Sequence, residues 1–137
     1  MGARRPRRPA GLPGRLGRAS QPRFGAYIRA RRERRLKTDR RFSLRQVARR
    51  IGVQPAYLSQ VERGNVAPPS EATTRRLATD LGEDPDVLLA LAGKVSEDLQ
   101  EVIRRRPAVF AELLRSLRAA PTHAVLCVVR EVRDGKW

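Results

Sequence analysis

Few side chains here can make or break bonds. The sequence holds one histidine, His123, and one cysteine, Cys127, spaced i, i+4 so that a helix would bring them to one face. A thiol and an imidazole at that spacing can form a nucleophile and its base, but these two sit among valines and leucines with no third group to orient the imidazole. A single thiol makes no internal disulfide, and one histidine with one cysteine falls short of a metal-ligand set. The sequence therefore reads as a non-enzyme, with no cofactor and no metal. The abundant chemistry is that of guanidinium with phosphate: 30 Lys+Arg stand against 14 Asp+Glu, a formal net charge of +16.

That charge is unevenly distributed. Residues 1–24 hold seven Arg and no acid, residues 25–64 hold twelve basic and three acidic residues (Glu33, Asp39, Glu62), and residues 65–137 hold eleven of each. The three stretches carry +7, +9 and 0. An excess confined to the N-terminal half points to a face that binds a polyanion, with nucleic acid the first candidate. A GC-rich genome would explain why Arg outnumbers Lys 27 to 3, but not the asymmetry between halves. No run of 18 apolar residues is present and the Arg-rich start lacks the apolar stretch of a secretory signal, so no membrane association is expected and a cytoplasmic location is.

Helical periodicity runs through the rest of the chain. Residues 1–23 carry four Pro, four Gly and seven Arg with almost no large apolar side chains, the composition of a disordered arm. From Phe24 the spacing of Phe24, Tyr27, Ile28 and Leu36 predicts a helix to about Lys37, followed by a polar loop to Phe42. Ser43 is an N-cap for a helix carrying Leu44, Val47, Ala48 and Ile51 and ending at Gly52. Gln54-Pro55 starts the next, with Tyr57, Leu58 and Val61, which runs to Gly64. Two helices joined by a short glycine-containing turn form a helix-turn-helix. Ser70 caps a helix bearing Ala72, Leu77, Ala78 and Leu81, and Asp84-Pro85 opens another with Val87, Leu88 and Leu91 on its apolar face. Beyond Gly93, Ser96 with Glu97 and Asp98 begins a stripe of Leu99, Val102 and Ile103. Pro107 begins a second stripe of Phe110, Leu113, Leu114 and Leu117. Val125, Val128, Val129 and Val132 favour a third helix over a strand.

The segment SLRQVARRIGVQPAYLSQVERG, Ser43 to Gly64, resembles the Xre/Cro-type helix-turn-helix of phage repressors and their bacterial relatives. The likeness extends from FGAYIRARRE at Phe24 through PPSEATTRRLATDLGEDPDVLLALAG to Gly93, with Ala48, Gly52, Leu58 and Val61 at the family's small, turn-glycine and apolar positions. It implies a five-helix phage-repressor-like domain over residues 24–93, and with the two or three amphipathic helices that periodicity predicts over 94–137 the expected fold class is all-α. It further implies that Pro55 to Arg63 lies in the major groove of double-stranded DNA while Ser43 to Ile51 supports it. The family's base-reading positions correspond to Pro55, Ala56 and Gln60. Proline and alanine offer no side-chain hydrogen bond, only contact with a thymine methyl, whereas Gln60 can pair with adenine through its amide. Gln54, Tyr57 and Ser59 are the nearest polar reserves, with Tyr57 either reaching a phosphate or packing over the turn. Leu44 replaces a glutamine common in relatives and is expected to pack. Phosphate contacts then fall to Arg45, Arg49 or Arg50, and to Arg63 and Asn65. Glu62 is expected to form a structural ion pair with Arg32. The loop KTDRR is either a backbone-tracking element or a solvated insertion.

The implied function is a sequence-specific transcriptional regulator, a homodimeric repressor on the nucleoid. Its alternative is an antitoxin or control protein of a toxin, restriction or phage-defence module, binding a toxin or protease partner through the C-terminal helices. Those helices either supply the dimer interface or enlarge the core. At about 44 residues they are too few for an enzyme domain or a sensory barrel. The arm RRPRRP is either a minor-groove reader or the product of an upstream start codon.

Overall fold

Short apolar stripes, three of them opened by a capping side chain, produce a chain of helices. The computed structural model describes residues 15–137, with side chains from residue 23 onward. The helices are α1 (Arg15–Leu36), α2 (Leu44–Ile51), α3 (Pro55–Glu62), α4 (Glu71–Leu81), α5 (Pro85–Leu91), α6 (Glu97–Arg105), α7 (Pro107–Leu117) and α8 (Thr122–Asp134). One 3₁₀ turn (Arg40–Phe42) precedes α2. No strand occurs among the described residues, whose fold class is all-α. The first fourteen residues of the expected arm, with its RRPRRP run, lie outside the described residues. Helix α1 starts at Arg15 rather than at Phe24, in a stretch where Leu16, Arg18, Ala19 and Gln21 are compatible with helix.

The caps follow from side-chain chemistry. Ser43 Oγ accepts from the backbone N–H of Gln46, Ser70 Oγ from that of Thr73, and an Asp84 carboxylate oxygen from that of Asp86. Each satisfies a donor that the first helical turn leaves open. Gly52 ends α2 in the left-handed conformation.

Two compact units result, one through Ser96 and one from Glu97 to Trp137. In the first, Phe24 and Ile28 of α1, Val47, Ala48 and Ile51 of α2, and Leu58 and Val61 of α3 share one core with Leu77, Ala78 and Leu81 of α4 and with Leu88 and Ala92. Leu44 and Val53 pack against it while partly exposed. Truncating any of the buried leucines to alanine costs about 2–5 kcal/mol, a large share of the stability of so small a domain. Gly25 permits a close approach: a Cβ there would fall onto the backbone carbonyl oxygens of Val61 and Glu62, so α1 and α3 meet backbone to backbone at this point.

Three details of the apolar faces differ from the sequence expectation. Ala72 is exposed, and the inward positions of α4 go to Thr73 and Thr74. Thr74 is tolerated there because its hydroxyl donates to the carbonyl of Pro69 at 3.3 Å. On α5 the buried pair is Leu88 and Leu89, while Val87 is exposed and Leu91 half-buried. In a helix of two turns packed on both α4 and α1, periodicity alone does not select the face. The first unit also continues past Gly93: Lys94 Nζ donates to Pro69 O at 3.2 Å and Ser96 is 2% exposed.

In the second unit, α6 begins directly after Ser96 and α8 is a helix over the valine-rich run. None of these three helices has a fully buried side chain. Val109, Leu114 and Val132 are 62%, 58% and 66% exposed. The Trp137 indole donates to the carbonyl of Val132 at 3.3 Å.

Candidate nucleic-acid interface

Helix α3 buries Leu58, Val61 and Glu62, and this leaves an outward ridge. Ala56, Gln60 and Arg63 are exposed at i, i+4 and i+7 along it. Tyr57 is exposed on one flank. Ser59 lies on the other flank and is half-buried; it lines a pocket of about 180 Å³ with Arg29, Arg32, Leu44, Glu62 and Arg63. Pro55 is half-buried at the start of the helix, and Gln54 precedes it with an exposed amide that makes no capping bond. The polar side chains most open to a groove are therefore Gln54, Tyr57, Gln60 and Arg63.

The ridge is held by a buried ion pair. Arg32 Nε donates to Glu62 Oε1 at 2.6 Å and Arg32 Nη2 to Glu62 Oε2 at 3.0 Å, with the two side chains 8% and 6% exposed. Arg32 Nη1 also donates to the carbonyl of Phe42 at 3.3 Å. A two-pronged, nearly dry pair of this kind sets the rotation of α3 against α1, because guanidinium and carboxylate planes must align. It also keeps the Glu62 charge away from the outward ridge.

On α2, Arg45 and Arg49 are exposed, and neither has a carboxylate partner among the described residues. Arg45 stands in the first turn of a helix with no acidic residue there, where a positive charge opposes the helix dipole. A bound anion would relieve that opposition. Arg63, at the C-cap of α3, is likewise exposed and without a carboxylate partner.

Arg50 is placed differently from its neighbours. Its Nε donates to Asp80 Oδ1 at 2.6 Å and its Nη2 to Asp80 Oδ2 at 3.1 Å, linking α2 to α4. Its guanidinium lies 5.2 Å from the centroid of the Phe42 ring, as does that of Arg35. Arg50 is thus engaged within the fold. No local pattern in the sequence pairs residues 50 and 80; only the packing of α2 on α4 does.

Asn65 is also engaged, with its Nδ2 donating to Gln60 Oε1 at 2.8 Å. In the loop before α2, Asp39 accepts from the backbone N–H of Arg41 and from its guanidinium. That bond to the Arg41 side chain, and then the backbone one, hold the Asp39 carboxyl below its ordinary value. Of the three positive charges of this loop, Arg41 is neutralised locally, while Lys37 and Arg40 are exposed.

His123 and Cys127 are both exposed on α8. Among the described residues no three His, Cys, Asp or Glu side chains come together to hold a metal ion. No helix among them is long and apolar enough to cross a membrane.

A supporting helix, a short turn and a second helix with an outward polar ridge, all carried on a five-helix core, define a helix-turn-helix protein, a DNA-binding class. The chain belongs to the helix-turn-helix domain family, which matches residues 23–91 and is consistent with an Xre-type regulator. No curated protein and no solved structure matches it.

Proposed function

We propose that the protein is a sequence-specific transcriptional regulator that reads double-stranded DNA with α3 in the major groove and acts as a dimeric repressor on the nucleoid. The observation that carries this reading is the ridge of Ala56, Gln60 and Arg63 beside two unpaired guanidinium groups, Arg45 and Arg49, with Glu62 turned inward. Gln60 supplies direct readout with Gln54 and Tyr57 beside it, and Ala56 contributes apolar contact. Arg45, Arg49 and Arg63 supply phosphate contacts. Occlusion of a promoter by a bound dimer is sufficient for repression.

The second unit supports a role in association, because its apolar side chains remain exposed. A second copy of the chain is the occupant that would produce twofold half-sites. The same faces also suit a toxin or another partner protein, the alternative of an antitoxin or control element. Selection of bound fragments from genomic DNA, followed by footprinting, tests the main reading. Two inverted half-sites about 34–36 Å apart are expected. Equal affinity for every sequence would overturn it.

A further inference from the structure

Asn65 and Gln60 are joined twice. Past the end of α3 the backbone N–H of Asn65 donates to the backbone carbonyl of Gln60 at 3.0 Å, and that of Gly64 to Val61 at 3.0 Å. Gly64 has φ +72°, a conformation that glycine adopts without strain. Together these are the two crossed bonds of a Schellman closure, with Gly64 as the left-handed residue. The closure brings the side chain of Asn65 back over the last turn, where its Nδ2 donates to Gln60 Oε1 at 2.8 Å. A residue five positions away along an unbent helix would lie on another face; here the helix end folds it onto the reading side chain.

An isolated glutamine amide can present either its carbonyl or its amino group to a base edge. The Asn65 bond couples that choice to the Asn65 amide: with Nδ2 donating, as it does here, Gln60 meets it with Oε1. The two Nε2 hydrogens and the second lone pair of Oε1 are left open.

We propose that Asn65 is a positioning residue for base readout rather than a phosphate contact. It orients the Gln60 amide so that Nε2 is offered to a base acceptor, which in the major groove selects a purine through its N7. This rests on the reading of α3 as the helix that enters the groove. The pairing also withdraws Asn65 from the set of backbone-binding groups, in which Arg45, Arg49 and Arg63 remain.

The test uses the full chain and a duplex selected by it from a random-sequence pool, with every base pair of the site then substituted in turn. Gln60→Ala should abolish the preference at one purine position, a loss of about fivefold to a hundredfold in discrimination. Asn65→Ala should weaken the preference at that same position and have no further effect on it when combined with Gln60→Ala. Asn65→Asp should reverse it, because an aspartate accepts from Nε2, turns Oε1 outward and favours a base that presents an amino group. Uniform weakening by Asn65→Ala, with base preference intact, would overturn the positioning role while leaving the role of Gln60 standing. A Gln60→Ala variant with unchanged preference at every position would overturn the reading of α3 itself, and this proposal with it. Helicity and melting temperature of each variant confirm that the exposed substitutions leave the fold in place.

Discussion

Arg50 of α2 is clamped to Asp80 of α4 by two hydrogen bonds, 2.6 and 3.1 Å long, so one of the three arginines of α2 serves the fold while Arg45 and Arg49 face outward. Its partial exposure limits the value of the pair, and the Phe42 ring beside it adds a further contribution. We expect Asp80→Ala to destabilise the domain by about 1 kcal/mol without lowering the salt dependence of DNA binding. Arg49→Ala should do the opposite: leave stability nearly unchanged and reduce the slope of log affinity against log salt by about 0.9. Urea titrations and binding at several salt concentrations separate the two. Equal slopes for Arg49→Ala and the parent chain would remove Arg49 from the phosphate set.

The pair of Arg32 and Glu62 lends itself to a sharper experiment, because it is nearly dry. Removing one partner strands a buried charge, and Glu62→Leu alone should cost about 3–5 kcal/mol. Replacing both, with Arg32→Met and Glu62→Leu, should recover most of that loss, since apolar side chains of similar volume need no partner. If the double variant were as unstable as the single one, the pair would be contributing more than mutual charge compensation. The bond from Arg32 to the Phe42 carbonyl is the first place to look for that contribution.

Gly25 sits where α1 meets the end of α3. Since a Cβ would meet backbone oxygens rather than a movable side chain, Gly25→Ala should destabilise by about 1–3 kcal/mol. Any relaxation shifts α3, so operator affinity should fall as well. A variant with wild-type melting temperature and affinity would show that the helices separate without penalty.

Much of this arrangement was legible in the sequence because it is local. Ser43, Ser70 and Asp84 act as caps through bonds spanning two or three residues, and the spacing of Val47, Ala48, Ile51, Leu58 and Val61 follows helical geometry. The arrangements that no local pattern specifies depend on contacts between distant elements. Arg50 resembles Arg49 until α4 brings Asp80 beside it. Thr74 resembles a surface threonine until the Pro69 carbonyl accepts its hydroxyl. Asn65 reads as one more polar residue after a helix until the Gly64 turn folds it onto Gln60. Family resemblance suggested Arg32 as the neighbour of Glu62; nothing in their separation along the chain does.

Asp39 allows a test by pH. Its carboxyl is held below the ordinary value chiefly by the Arg41 side chain, so the folded state binds its proton less readily than the unfolded chain. The contribution of these Asp39–Arg41 bonds is therefore fully present above the ordinary carboxylate value and is lost as pH falls through the lower folded value. NMR titration of the Asp39 carboxyl should show a midpoint below that of an unstructured aspartate. Arg41→Ala should move it upward, and added salt should move it the same way because the pair is exposed to solvent. A midpoint unaffected by Arg41→Ala would show that the pair does not persist in solution.

The proposed association has its own consequence. The unit from Glu97 to Trp137 lacks any fully buried side chain, and chains of about 40 residues seldom hold a fold without a partner, a metal or disulfides. Residues 97–137 hold eight basic and six acidic residues, so a second copy would meet no strong net repulsion there. Val132 on α8 and Leu114 on α7 are the exposed apolar groups to charge. The double variant Leu114→Glu, Val132→Glu should sediment as a monomer at concentrations where the parent chain is a dimer. It should still protect a single half-site, at much higher protein concentration, because the reading helix lies in the other unit. Unchanged sedimentation of the variant would remove these faces from the dimer interface. A parent chain that is itself monomeric on its operator would remove the dimer, and would turn attention to a partner protein as the occupant of the same helices.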